Sequence, residues 1–246
     1  MHWSETFYAR QTDVPGIGTA AIHPSHRALA ARVTAHLGGP RHLLELGSGG
    51  GQFAVCAARE GHTVTAVERV PLLVQHSRSL ARKHAVQVRV HRADFYTVRL
   101  PAASHDAVCY WDGFGIGTDD DQRRLLRRIA AWLTPAGRAY IDVYTPWYWA
   151  HAAGNAPHLP GFARSYGFDP DGCRMLDTYT PTDGTEPFTQ SLRCYSPADL
   201  RLLLTGTPLH LTELWPGGHY DAQAGVWTPE VPLEQAMSYT AVLAPE

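Results

Sequence analysis

Between about His42 and Tyr144, short apolar runs alternate with longer amphipathic segments. RHLLEL, HTVTAVE, VQVRVHRAD, HDAVCYW and RAYIDVY are compactly apolar or alternate apolar with polar residues, and each predicts a strand. GQFAVCAAREG, PLLVQHSRSLARKHA and DDDQRRLLRRIAAWL predict helices, the first closed by Gly61 and the second opened by Pro71. In the third, Leu125, Leu126, Ile129, Trp132 and Leu133 share one face, and aspartates crowd the positive end of the helix dipole. TPAG turns that helix into the fifth strand. Upstream, SHRALAARVTAHLGG carries Leu29, Val33 and Leu37 on one face, with Ser25 as the expected cap and Gly38 as the stop.

Strands alternating with helices imply a doubly wound α/β fold: a mostly parallel sheet, helices on both faces, right-handed crossovers. Residues 145–187 break this rhythm, being rich in Pro, Gly and aromatics without a long helical period. FTQSLRCYSPADLRLLLTG then resumes strand and helix, with Ser196 capping, Pro197 at the first helical position and Asp199 reaching back to the cap. HLTELW and MSYTAVLA predict the last strands. The expected organisation is a single domain over residues 1–246, with residues 145–187 forming a small cap inserted after the fifth strand.

Composition narrows the partners. The 246 residues are 44% hydrophobic and 18% charged, ordinary for a globular chain. A formal net charge of −2 supplies no field for a phosphate-rich partner, so nucleic acid is not expected. No apolar run reaches membrane-spanning length and Met1–Arg10 lacks the form of a secretion signal; no membrane partner and a cytoplasmic location are expected. Cys56, Cys109, Cys173 and Cys194 form no CxxC pair and read as reduced thiols. His23 and His26 form an HxxH without a nearby acid or thiolate, so no metal site is expected.

The chemistry begins at HLLELGSGGGQF, His42 to Phe53, where side chains nearly vanish as a strand gives way to a helix. Ligands of open parallel sheets bind beyond the strands' carboxyl ends, and glycine there lets backbone N–H groups approach closely. A dinucleotide fingerprint starting at Gly47 would need a small residue where Gln52 stands, and the lysine of a P-loop is missing. The spacing of Glu45, Gly47, Gly49 and Gly51 instead matches E-x-G-x-G-x-G. This resembles motif I of class I S-adenosylmethionine-dependent methyltransferases.

Further matches follow in order: Glu68 ends the second strand, RADF follows the third, and LTPAGRAYID resembles the L-x-P-G-G turn with Ala136 in place of a glycine. RCYSPADLRLLL is similar to the R-x-Y-S-x-x-E-L-x-x-L-L segment of small-molecule members, so the resemblance runs from about His23 to Leu214. It implies a seven-stranded Rossmann-like sheet and S-adenosylmethionine as cofactor. Glu45, Gly47, Ser48, Gly49 and Gly51 would line it, with Arg69 and Tyr110 nearby. Glu68 would accept both ribose hydroxyls, Asp94 would bind the adenine amino group and Phe95 would pack on the ring.

On the acceptor side, YWDGFGIG lacks the N/D-P-P-Y element of base and glutamine methylators and resembles the aromatic-glycine segments of small-molecule members. Trp111, Tyr144, Trp147, Tyr148 and Trp149 are expected to line a flat apolar acceptor pocket. Residues 1–22 are similar to family lid segments, with Tyr8 closing over the site. Asp112, His151 and Tyr8 are the candidates for proton removal, without a metal. The expected activity is methyl transfer to a small indole-like, phenol-like or amine acceptor in natural-product metabolism. Structural use of the cofactor and nicotinamide-dependent oxidation are the alternatives. The arginines of QRRLLRRI read either as a solvated face or as the surface of a homo-oligomer.

Overall fold

The computed structural model describes residues 2–14, 17–222 and 224–246. After α1 (His2–Gln11) and α2 (Pro24–His36), the chain alternates β1 (His42–Leu46), α3 (Gln52–Arg59), β2 (Thr63–Glu68), α4 (Pro71–Lys83) and β3 (Val88–Arg92). It continues through β4 (His105–Tyr110), α5 (Asp119–Trp132) and β5 (Leu133–Tyr144). A cap follows: α6 (Pro146–Ala152), then β6 (His158–Leu159), β7 (Phe162–Asp169), β8 (Arg174–Pro181) and β9 (Phe188–Arg193). The chain returns through α7 (Pro197–Leu204) and β10 (Leu209–Pro216), adds a hairpin of β11 (His219–Asp221) and β12 (Val226–Thr228), and ends in β13 (Ser238–Pro245).

Seven strands form one sheet in the order β10-β13-β5-β4-β1-β2-β3. β1 pairs in parallel with both β2 and β4, while β13 pairs antiparallel with β5 and β10. The sheet is therefore mixed, mostly parallel and α/β. Chain order reverses direction at β1, and this opens a crevice beyond the carboxyl ends of β1 and β4. Leu44, Leu46, Leu125, Leu126 and Ile129 are fully enclosed on one face, where α5 packs. Val33, Phe53, Ala54 and Tyr140 are enclosed on the other, beneath α2 and α3. No described helix is long and apolar enough to cross a membrane.

Local signals explain most element ends. Thr118 caps α5: its Oγ1 accepts from the Asp121 amide at 3.2 Å, and Asp121 accepts from the Thr118 amide at 3.0 Å. Ser196 and Asp199 repeat this at α7, at 3.1 Å in each direction. The cap of α2 is His23 rather than Ser25, because Pro24 occupies the first helical position and the His23 amide donates to His26 Nδ1 at 3.0 Å. TPAG sits inside β5 as a register irregularity opposite His105 and Ala107. In the cap, α6 forms where no helix is expected, started by Pro146. The four remaining cap strands make an antiparallel sheet, β6-β7-β8-β9, that runs past residue 187 to Arg193.

Candidate active site

β1 ends at Leu46, and the chain then turns through Gly47, Gly49 and Gly51 at φ of 59, 53 and 84°, a region costly for residues with a Cβ. These glycines do different work. A Cβ on Gly49 would meet nothing within 4 Å, so its absence leaves bare backbone against open space. A Cβ on Gly50 would lie 1.8 Å from the Gly18 carbonyl oxygen, and one on Gly51 only 2.2 Å from Ser77 Oγ. Gly50 thus admits the N-terminal segment, and Gly51 admits α4.

Glu68, at the end of β2, faces this turn. Its Oε2 accepts from the Gly49 amide at 2.8 Å, and its Oε1 accepts from the Arg69 and Val70 amides, each at 2.8 Å. A carboxylate has about four acceptor sites, so one remains on Oε2. Burial pushes the Glu68 carboxyl up, opposed by these three amides and by the Arg69 charge. Glu45, 3% exposed, has an Oε2 with no partner, and burial pushes its carboxyl well above the usual range. Arg69 spans the mouth, 3.1 Å from Glu5 of α1 and 3.9 Å from Asp94. The Asp94 Oδ1 accepts from the Tyr96 amide at 2.7 Å, and Phe95 meets Tyr110 edge-on at 5.2 Å.

The glycine turn opens into a cavity of about 770 Å³ that extends beneath the cap. Its far half is lined by Tyr8 and Gln11 of α1, by Asp112 and Tyr144, and by Trp149 of α6. Arg164, Met175, Asp177, Tyr179 and Gln190, on the inner face of the cap sheet, complete it. Arg164 Nε and Nη2 donate to the two Asp177 oxygens at 2.9 and 2.7 Å, and the Tyr179 hydroxyl adds a third bond to Asp177 at 3.0 Å. Gln190 Nε2 donates to the Tyr8 hydroxyl oxygen at 2.9 Å.

Asp112 follows β4 in a left-handed conformation, φ 49°, and accepts a hydrogen bond from the Tyr144 hydroxyl. It is open to the cavity yet ringed by protein, which pushes its carboxyl pKa up; the Tyr144 hydrogen bond and the Arg164 charge oppose this. Burial first, and the Asp112 charge second, hold the Tyr8 hydroxyl far above its ordinary range. The Tyr8 hydroxyl is thereby a weaker acid than a free tyrosine, held over the cavity by its hydrogen bond from Gln190.

Fourteen of the expected site residues line the cavity together: Glu45, Gly47, Ser48, Gly49, Glu68, Arg69, Asp94, Phe95 and Tyr110, with Tyr8, Trp111, Asp112, Tyr144 and Trp149. Four do not. Gly51 serves packing, as described. Trp147 Nε1 donates to the Leu233 carbonyl at 3.1 Å and the Tyr148 hydroxyl to the Tyr220 carbonyl at 3.1 Å, so both brace the segment that joins β10 to β13. His151 lies exposed on α6, away from the lining.

The fold also brings other residues to the cavity. Gln52, used only to argue against a dinucleotide site, donates to the Gly18 and Ala20 carbonyls at 3.0 and 2.8 Å, holding the N-terminal segment over the turn. Arg164, Asp177, Tyr179 and Gln190 went unnoticed; polar residues two apart within the strands of the cap were the available signal.

Residues 43–137 match the family model described as a methyltransferase domain. The chain's fold is that of the class I S-adenosylmethionine-dependent methyltransferases. The CcbJ methyltransferase from Streptomyces caelestis is similar over 97% of this chain and 98% of its own, at 23% identity and a TM-score of 0.75. An S-adenosylmethionine-dependent methyltransferase from Clostridium acetobutylicum matches over 98% of this chain and 99% of its own, at 12% identity and a TM-score of 0.71. The 1,6-didemethyltoxoflavin-N1-methyltransferase of Burkholderia thailandensis, solved with 1,6-didemethyltoxoflavin and S-adenosylhomocysteine, matches over 91% and 78% at 19% identity and a TM-score of 0.55. No curated protein matches the chain by sequence.

Proposed function

We propose that this chain binds S-adenosylmethionine over the Gly47–Gly51 turn and transfers its methyl group to a small natural-product acceptor, aromatic or amine, held beneath the cap. The observation that carries this reading is the bare backbone at Gly49, tied to Glu68 and opening into the same cavity as Asp112. Glu68 would hold the ribose through its remaining acceptor capacity on Oε2, and Asp94 with Phe95 would hold the adenine. When bound, the donor supplies an electrophilic methyl on a sulfonium. The chain's own task is to align an acceptor atom behind that methyl and to exclude water, and this requires a closed, shaped chamber more than a strong acid or base. The α1 helix serves the closure: Glu5 reaches Arg69, and Tyr8 reaches Gln190 of the cap sheet. Asp112, held by Tyr144, is the group placed to receive a proton.

Titration with S-adenosylhomocysteine tests the first step. Binding is expected at about micromolar affinity. It should vanish in Gly49→Val, which strains a left-handed residue and fills the open side of the turn, and should fall about tenfold or more in Glu68→Ala. Unchanged binding in both variants refutes the assignment. Turnover is then read by mass spectrometry as one added methylene on the acceptor, and its absence with every acceptor class sinks the enzyme reading.

A further inference from the structure

The charge balance in the far half of the cavity narrows the acceptor, provided the methyl-transfer reading holds. Arg164 is committed to Asp177 through both carboxylate oxygens, at 2.9 and 2.7 Å. Arg69 lies at the glycine-turn end, its guanidinium 3.1 Å from Glu5 and 3.9 Å from Asp94. Asp112 has no cation within ion-pair distance among the described residues; its side-chain partner is the neutral Tyr144 hydroxyl. Among the described residues, the acceptor half therefore carries one carboxylate without an ion-pair partner and no cation free of one. That carboxylate is held by a left-handed backbone at φ 49°, a conformation that aspartate adopts more readily than most residues with a Cβ. The rings of Tyr8, Tyr144 and Trp149 line the same half, the last two 5.0 Å apart, and aromatic rings attract cations.

We propose that the acceptor is an amine that enters as its ammonium ion, pairs with Asp112, and gives up to that carboxylate the proton it must lose before methylation. An anionic acceptor would meet repulsion from Asp112 and no free guanidinium. Loss of the proton frees the nitrogen lone pair. As the new N–C bond forms, the donor's S–C bond breaks and its electron pair stays on sulfur. The product is a methylated ammonium, and Asp112 returns its proton to solvent. The protein around Asp112 raises its carboxyl pKa, against the Tyr144 hydrogen bond and the Arg164 charge and with the help of Asp177, making it a better proton acceptor than a solvated aspartate. Asp142 and Tyr8 also act on this part of the site: each is coupled electrostatically to Asp112.

Ligand-observed NMR titrations of the full chain, saturated with S-adenosylhomocysteine, test this with N-methylbenzylamine, benzyl alcohol and benzoate. The amine should bind about tenfold tighter than the alcohol, and benzoate weakest. Asp112→Asn keeps the side-chain shape and tolerates the left-handed backbone; it should erase the amine preference while S-adenosylhomocysteine affinity stays within about twofold. Absence of an amine preference in the unaltered protein overturns the proposal, as does its persistence in Asp112→Asn. Loss of S-adenosylhomocysteine affinity in that variant also overturns it, since the carboxylate would then serve the donor's own amino group. Failure of the unaltered protein to bind S-adenosylhomocysteine would instead refute the methyltransferase assignment. Should Asp112→Asn not fold, the unaltered protein decides: amine affinity must fall on acidification as Asp112 takes up a proton, while alcohol affinity stays level. A flat amine profile overturns the proposal.

Discussion

The two sheets of this molecule build their halves of the site by different means. In the seven-stranded sheet, cavity-lining groups sit in short runs at or just beyond strand ends: 47–50, 67–69, 93–97 and 110–113. Much of their work is done by backbone, as where the Gly49, Arg69 and Val70 amides converge on Glu68. In the cap sheet, the working groups are side chains on one face of antiparallel strands. Asp177 lies across from Tyr166 and Gln190, and Tyr179 across from Arg164 and Phe188. A backbone-made cradle suits one ligand shape and tolerates little change. A side-chain grid can be rewritten residue by residue, so in this reading the cap shapes the acceptor's pocket while Asp112, beyond β4, meets its charge.

The comparison breaks most visibly at the buried ion pair. Arg164→Ala leaves Asp177, 3% exposed, without its guanidinium and should cost about 3 kcal/mol in a urea melt. S-adenosylhomocysteine affinity should nonetheless stay within about twofold; a parallel loss would mean that the two sheets do not act independently. Gly51→Val attacks the other half. Its Cβ would meet Ser77 Oγ at 2.2 Å at a φ of 84°, so stability should fall by about 2 kcal/mol and S-adenosylhomocysteine binding with it.

A smaller effect concerns Asp142, in β5 where parallel pairing gives way to antiparallel. Burial, opposed by a hydrogen bond with Ser238, raises its carboxyl to about 7, above an unfolded value of about 3.9. Folding thus favours the protonated form. Its contribution to stability is full below about pH 4 and is lost as pH rises toward 7. Asp142→Asn should raise the Tm by about 4 °C near pH 8 and by almost nothing near pH 4, in paired thermal melts. The smallest effect is at His151. Exposed on α6, its replacement by Ala should leave stability within about 0.5 kcal/mol and methyl transfer within about twofold.

The cofactor half was legible because its residues are neighbours in sequence at strand ends, where spacing and chemistry coincide. The alternation of strand and helix puts Glu45, Gly47, Gly49 and Glu68 at strand ends, and the resemblance to the methyltransferase motifs gave them their expected roles. Gly51 was read as touching the ligand because spacing does not distinguish a glycine that admits a cofactor from one that admits a helix. The acceptor half was half legible. PWYWAHA announced aromatics, but α6 turns Trp147 and Tyr148 toward the β10–β13 segment and leaves Trp149 in the lining. Arg164 and Asp177 stand thirteen residues apart on neighbouring strands, and only the register of β7 against β8 brings them together.

What the chain's sequence determined by itself is therefore the alternation of strand and helix from β1 to β5, the helix cap at Ser196, and the glycine turn with its acid at 68. Each depends on residues close enough in the chain for periodicity and turn chemistry to act directly. Only the tertiary structure decided which aromatics face the cavity, that burial holds the Tyr8 hydroxyl above its ordinary range, and that Asp112 has no cation within ion-pair distance among the described residues. Burial and cross-strand register set those outcomes, and both exist only once distant segments have packed together.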